Sequence, residues 1–318
     1  MQIGQKTSVI KNSTVTTFSG TDDPELCKLI FIFLFLTYTL SLSGNLTIII
    51  LTFVDPHLKT PMYFFLKNFS LEISFTSAIT PRYLYSIATG DNIITYKACI
   101  IQVFFTDLCR VSEFFLLTAM SYDYYVAICK PLHYVIIMSK RVCGILIICC
   151  RMAGLCVIIP PLSLGLNLKF CDSNMIHHFA CDAFPLVKIS CSDTWFVEWT
   201  VIICAVLTLN MTLTCVVLSY AYIIKTIFRF PSVQQRKKAF LTCSSHMIVI
   251  SITYGTCIFI YMNPTTSVKE SVAINKGVTV FTTSIAPVLN PFIYTLRNRQ
   301  IKQAFNNPVK RTVIFSRK

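Results

Sequence analysis

Seven stretches of the chain are apolar over lengths that the helices of soluble domains do not need. They fall at about residues 29–53, 61–81, 98–122, 142–165, 199–224, 239–262 and 277–296. A helix rises about 1.5 Å per residue, so roughly 20 residues cross a hydrocarbon core ~30 Å thick. Inside lipid the backbone finds no water to bond, which leaves helices and closed barrels as the spanning elements. A barrel would read as strands of about ten residues with alternating polarity, and none is visible. The pattern predicts an all-α membrane protein, a seven-transmembrane helix bundle. Its weakest span is the second, which carries Lys67 and Glu72 and ends near Pro81 and Arg82.

The polar segments between the spans set the orientation. The loops and tail assigned to the cytosol hold 16 of the 28 Lys and Arg, with Asp55 and Asp123 as their acids. The outer segments hold 9 basic residues and nine acids, and Lys67, Arg110 and Arg151 fall within spans. This asymmetry places the N-terminus outside and the C-terminus in the cytoplasm. Dropping the second span would put both termini on one side and spoil the asymmetry. The organisation is thus an extracellular segment over 1–28, a seven-helix domain over 29–296 and a basic cytoplasmic tail over 297–318.

Composition agrees. Charged residues make up 13% of the chain and hydrophobic ones 54%, with a mean hydropathy of +0.64, whereas soluble domains carry about 25% charge. The formal charge of +14 is explained by loops facing a lipid bilayer rather than by nucleic-acid binding. Met1–Cys27 lacks a charged segment followed by an apolar core, so no cleavable signal peptide is expected. Asn12-Ser13-Thr14 is a glycosylation sequon in the outward segment; the sequons at Asn45, Asn68 and Asn210 lie in spans. The long outer loop Leu166–Glu198 holds Cys171, Cys181 and Cys191, and Cys99 opens the third span on the same face. Four cysteines on an oxidising face suggest two disulfides, with three pairings open. The adjacent His177 and His178 read as polar loop, not as a metal site.

No phosphate-binding glycine loop, HExxH or serine elbow is present, so no enzyme is expected. The ionisable residues inside spans are the better lead. Asp107, Arg110 and Glu113 are spaced i, i+3, i+6 and form an acid–base–acid ladder on one helix face. Glu72 and Glu113 form a candidate carboxylate pair for a hard cation. Thr242-Cys243-Ser244-Ser245-His246 lines the inner end of the sixth span, and Asn290-Pro291 would break the helix ladder of the seventh and permit a hinge. The stretch Met120–Tyr134, MSYDYYVAICKPLHY, sets Asp123 at the inner membrane boundary. A channel or transporter using these charges would show inverted repeats or broken helices in matching halves, and neither is found.

From about residue 21 to 305 the chain resembles the olfactory receptors, a branch of the rhodopsin-like G-protein-coupled receptors. The resemblance rests on Gly44-Asn45, Thr60-Pro61-Met62-Tyr63-Phe64-Phe65-Leu66, Met120-Ser121-Tyr122-Asp123 with Tyr125-Val126-Ala127-Ile128-Cys129, and Ser219-Tyr220. It continues in Lys238-Ala239-Phe240 with Thr242-Cys243-Ser244-Ser245-His246, and in Pro287-Val288-Leu289-Asn290-Pro291-Phe292-Ile293-Tyr294. Each motif is weak alone; the ordered set, each in its expected span, is specific.

The resemblance implies a Cys99–Cys181 disulfide and a second pair, Cys171–Cys191. It implies a pocket for small volatile odorants among the outer halves of spans three, five, six and seven. That pocket would draw on Thr106, Asp107, Arg110, Val111, Phe114, Cys204, Thr208, Tyr254, Cys257, Ile258, Tyr261 and Thr283. It further implies a sodium ion at Glu72 and Glu113, with no other cofactor, and a switch of Asp123, Tyr124, Tyr125, Tyr220, His246, Asn290, Pro291 and Tyr294. The output would be a stimulatory heterotrimeric G protein, and the location the plasma membrane.

The chain also departs from the family pattern. Asp-Arg-Tyr reads Asp123-Tyr124-Tyr125, and a phenol does not replace a fixed cation with five donors. Arg151 stands where the family has tryptophan, Leu241 where it has serine, and Arg110 where a small residue is usual. One residue is missing between Ser70 and Leu71, which would turn the rest of the second span by about 100°. The alternative expectation is therefore a family member with impaired or no G-protein coupling.

Overall fold

The computed structural model describes residues 14–17, 24–91, 93–169, 175–176, 181, 183–262 and 284–297. The long helices are α1 (Pro24–Val54), α2 (Pro61–Thr76), α3 (Thr80–Thr89), α4 (Tyr96–Cys129), α6 (Lys140–Gly165), α8 (Trp195–Phe228), α9 (Val233–Met262) and α10 (Ala286–Arg297). Two short helices, α5 (Tyr134–Ile137) and α7 (Ala183–Lys188), lie in the loops after α4 and α6.

The helices start and stop where side chains supply the missing backbone partners. Thr95 and Ser139 cap α4 and α6, accepting from the amides of Ala98 and Val142 at 3.4 Å each. Pro61 opens α2, where its missing N–H is no loss. Pro81 tightens the second span into a 3-10 turn at Ser77–Ile79, after which α3 carries on to Thr89. Gly90 then ends α3 with φ of 72°, the left-handed conformation that costs glycine least. The helices overrun the apolar stretches: α4 continues to Cys129 and α9 begins at Val233. Hydropathy marks what lipid covers, whereas hydrogen bonding and capping decide where a helix ends.

α4 is the central pillar, packing against α8, α2, α6 and α9, while α1 packs on α2 and α10. The main core is built from the inner faces of these helices, with Phe65, Leu116, Leu117, Val126 and Ile223 fully buried. Their outer faces expose large apolar side chains, such as Leu29 at 64% and Leu207 at 64%. In water that surface would be unfavourable by roughly 25 cal/mol per Å²; it is a lipid-facing surface. Cys27–Val54, Lys140–Gly165, Trp195–Phe228 and Val233–Phe259 are each long and apolar enough to cross a membrane. α4 is as long as α8, but its charges lower its hydropathy.

One feature lies outside the all-α expectation. A three-stranded sheet of order β2-β1-β3 joins β1 (Thr14–Thr17), β2 (Ile93–Thr95) and β3 (Met175–Ile176). β1 runs antiparallel to β2, with Val15 opposite Ile94, and parallel to β3, with Thr16 opposite Met175. Strands this short give no periodicity to read, so only chain proximity at the outer end brings them together.

Candidate functional site

At the inner end of the bundle, Asp123 is 2% exposed and accepts a 3.0 Å hydrogen bond from the Tyr134 hydroxyl. Tyr134 sits on α5, beyond the turn made by Pro131. Burial first, then the adjacent Asp123 carboxylate, pushes the Tyr134 phenol above its ordinary value, so it remains a donor at neutral pH. Tyr124, in the place of the family's arginine, is not at the surface. It is 5% exposed, and its ring lies 5.2 Å from that of His246 on α9. His246 is fully buried, and its Nδ1 lies 2.7 Å from the Tyr220 hydroxyl on α8. Tyr124, His246 and Tyr220 thus join α4, α9 and α8. Tyr125 turns outward to Tyr222 at 5.9 Å, and Cys129 Sγ lies 3.2 Å from Thr226 Oγ1, closing the α4–α8 seam.

The inner end of the seventh span is held against the first. A Cβ on Gly44 would fall 2.7 Å from Pro291 Cγ, so α1 and α10 approach closely only because residue 44 is glycine. Beside it, buried Asn45 donates to the Pro287 carbonyl at 3.3 Å and to the Ser41 carbonyl at 2.9 Å. Asn290 is buried on the same helix, and the side chain of Tyr294 lies outside the described residues.

Each member of the acidic pair has a side-chain partner on a neighbouring helix. Glu72 is buried, and Arg151 Nε on α6 lies 3.1 Å from its Oε1, with Arg151 Nη2 3.4 Å from Asn68 Oδ1. Glu113 Oε1 accepts from the Thr76 hydroxyl at 2.9 Å. Glu72 thus has a guanidinium as its charge partner, from the arginine that departs from the family pattern at residue 151. Among the described residues no group of three or more His, Cys, Asp or Glu gathers around a metal position.

The residues expected to line a ligand pocket fall along α4, α8 and α9. Thr106, Phe114, Thr208 and Tyr254 are buried; Asp107, Arg110, Val111, Cys204 and Cys257 are half-buried; Ile258 is 40% exposed. The structure brings Phe114 and Tyr254 edge to face at 5.0 Å, and sets Arg110 and Glu113 beside Cys257. Thr106 and Thr208 spend their hydroxyls on the carbonyls of Gln102 and Cys204, both at 2.7 Å. Thr283 and the side chain of Tyr261 lie outside the described residues.

At the outer end, Cys99 and Cys181 are joined by a disulfide and packed with Val103 and Leu186. Cys191 is disulfide-bonded as well; its expected partner Cys171 lies outside the described residues, as do Asn12, His177 and His178. Sequence reasoning did not assign roles to Tyr134, Thr76, Asn68 or Thr226. A phenol eleven residues past its acid, across a proline turn, follows no spacing rule. Arg151 was visible as a charge inside a span, but not its partner.

The olfactory receptor family pattern matches residues 34–311. The chain is 68% identical over 314 residues to human olfactory receptor 6C2, covering 97% of this chain and 100% of that protein. It is 63% identical over 305 residues to human olfactory receptor 6C68, covering 95% and 97%. Squid rhodopsin has the same fold, with a TM-score of 0.70 at 14% identity over 93% of this chain and 88% of that one. That fold is the seven-transmembrane helix bundle. A match that spans nearly the whole chain at this identity establishes that the protein belongs to the olfactory receptor family.

Proposed function

We propose that this protein is an odorant receptor that binds small volatile molecules among the outer halves of α4, α8, α9 and the seventh span. Binding rearranges the inner helix ends, and a stimulatory heterotrimeric G protein exchanges its nucleotide. The protein is a multi-pass receptor of the plasma membrane and not an enzyme. The reading is carried by the inner end of the bundle, where Asp123, Tyr220 and His246 of the family pattern all lie buried, Tyr220 against His246 and Asp123 against Tyr134. Each contact there is a single hydrogen bond or ring contact, worth about 0.5–1.5 kcal/mol. Such contacts hold a resting state that ligand energy of a few kcal/mol can shift.

Tyr124 alters how that state is held. Without the arginine, Asp123 is held by Tyr134 on the loop, and α4 meets α9 through the tilted rings of Tyr124 and His246. Nothing in the comparisons favours the uncoupled alternative. The decisive experiment is a cyclic-AMP reporter assay with an odorant panel, run on the natural chain and on Tyr124→Arg, with surface labelling of both. The natural chain is expected to respond to at least one odorant. A response only from Tyr124→Arg would establish the uncoupled alternative, and silence from both surface-labelled proteins would overturn odorant signalling.

A further inference from the structure

We propose that a basic cavity at the cytoplasmic membrane boundary binds the phosphorylated headgroup of an inner-leaflet phosphoinositide. The cavity, of about 210 Å³, lies where α1 ends and α2 and α6 begin, and its polar lining includes Thr52, Lys59, Thr60, Lys67 and Lys140. Its position concentrates positive charge from two sources. Three lysines line it, and none forms a salt bridge among the described residues. The N-termini of α2 and α6 also border it at Thr60–Pro61 and Lys140, adding the positive ends of two helix dipoles. The one acid in the adjoining loop is Asp55, four residues before Lys59; Asp123 is directed to Tyr134.

Lys67 is the unusual member. It lies almost two turns inside α2, within a membrane span, and its ammonium sits 4.3 Å from the ring centre of Phe53 and 5.2 Å from that of Phe64. A cation held there without a carboxylate points toward an anion that arrives from the membrane. The lipid side of the cavity supplies the other half of the match. Phe53, Val54 and Phe64 are 65%, 73% and 37% exposed and form an apolar flank on which acyl chains can lie. A soluble phosphate shares the headgroup chemistry but would leave that flank unused. Phosphatidylserine carries too little charge for three ammonium groups, whereas a phosphomonoester carries about −1.5 to −2 near neutral pH.

The full-length receptor in nanodiscs, with phosphatidylinositol 4,5-bisphosphate or charge-matched phosphatidylserine, tests this by native mass spectrometry of retained lipid. Each lysine near the membrane surface contributes roughly a fivefold factor in binding an anionic lipid. The combined Lys59→Gln, Lys67→Gln and Lys140→Gln protein should therefore lose bisphosphate-lipid retention by about tenfold or more. Removing three charges from the first turns of α9, with Arg236→Gln, Lys237→Gln and Lys238→Gln, none of which lines the cavity, should cost clearly less retention than the cavity variant. Replacing the three cavity lysines by arginine should keep retention and controls for folding. Equal losses in the two triple-glutamine proteins, or no preference over phosphatidylserine, would overturn the proposal. So would soluble inositol trisphosphate competing as well as the lipid does.

Discussion

The two ends of the bundle are held by different kinds of bond. The outer end is tied covalently, through Cys99–Cys181, and is laced by strands from the N-terminal segment, the loop before α4 and the long loop after α6. Among the described residues the inner end has nothing of the kind. There Asp123–Tyr134, Tyr220–His246, Tyr124–His246 and Cys129–Thr226 are separate weak contacts between different helix pairs. A strong tie fixes the outer end, and several weak ties let the opposite end exchange one set of partners for another. If that division is right, breaking outer contacts should remove the folded protein, while breaking inner ones should change its resting state.

The largest expected effect is at the outer end. Cys181→Ser opens a loop of 82 residues, for which chain entropy gives about 4 kcal/mol. The expected result is near-complete loss of surface-labelled receptor, and Cys99→Ser should match it. Normal surface levels in both would show that the strands alone organise this end.

Much of this was legible in the sequence, and the reasons differ by region. Spans were legible because lipid demands unbroken apolar length. The side facing the cytosol was legible from its lysines and arginines. The inner motifs were legible because family pattern fixes them in order. What could not be read was pairing between distant side chains. Glu72 was read with Glu113 as a candidate pair for a cation, but its ion pair with Arg151, 79 positions away, was not foreseen. The same holds for Asp123 and Tyr134, and for the little sheet, whose strands have no pattern of their own. Gly44 and Asn45 were visible as a motif, but the close approach of Pro291 that requires them was not.

The Glu72–Arg151 pair sharpens the comparison, because it lies between the two ends. Arg151 is in mid-span and its side chain is 44% exposed, against 7% for Glu72. That exposure is to lipid rather than to water, so solvent does not screen the pair. Arg151→Met should leave a buried carboxylate uncompensated and destabilise the receptor by about 3 kcal/mol. Adding Glu72→Leu should restore most of the loss, since an apolar pair of similar volume avoids burying charge. Thermal unfolding of the detergent-purified single and double variants measures this. Equal instability in both would show that the pair is not what Arg151 contributes.

Gly44→Ala comes next. The new methyl would meet Pro291 Cγ at 2.7 Å and Cβ at 2.8 Å, and overpacking of this kind costs about 1–3 kcal/mol. The strain falls on the seam between α1 and α10, so an altered dose response should accompany the lower melting temperature. Unchanged stability would mean that α10 can shift outward without loss.

The smallest effect on stability should be the most informative about switching. Tyr134→Phe removes only the hydroxyl that Asp123 accepts from, a hydrogen bond to a buried acid worth about 1.5 kcal/mol. Stability should fall by no more than that. Basal reporter output should rise, because the bond joins α4 to the cytoplasmic loop in the resting arrangement and its loss favours any state that lacks it. The pH dependence has a definite sign. A free phenol ionises near 10, and burial with the neighbouring carboxylate raises Tyr134 further. On the alkaline side the bond is lost only well above neutral pH; on the acid side it weakens as Asp123 takes up a proton, because burial raises that carboxyl to about 6 even though the Tyr134 hydroxyl lowers it. The difference between Tyr134→Phe and the natural chain should accordingly be full near pH 8 and shrink as pH falls through about 6. A rise in basal output without loss of surface receptor would place the resting contact at Asp123–Tyr134. Unchanged output would leave the rings of Tyr124, His246 and Tyr220 as the contacts that hold the inner end closed.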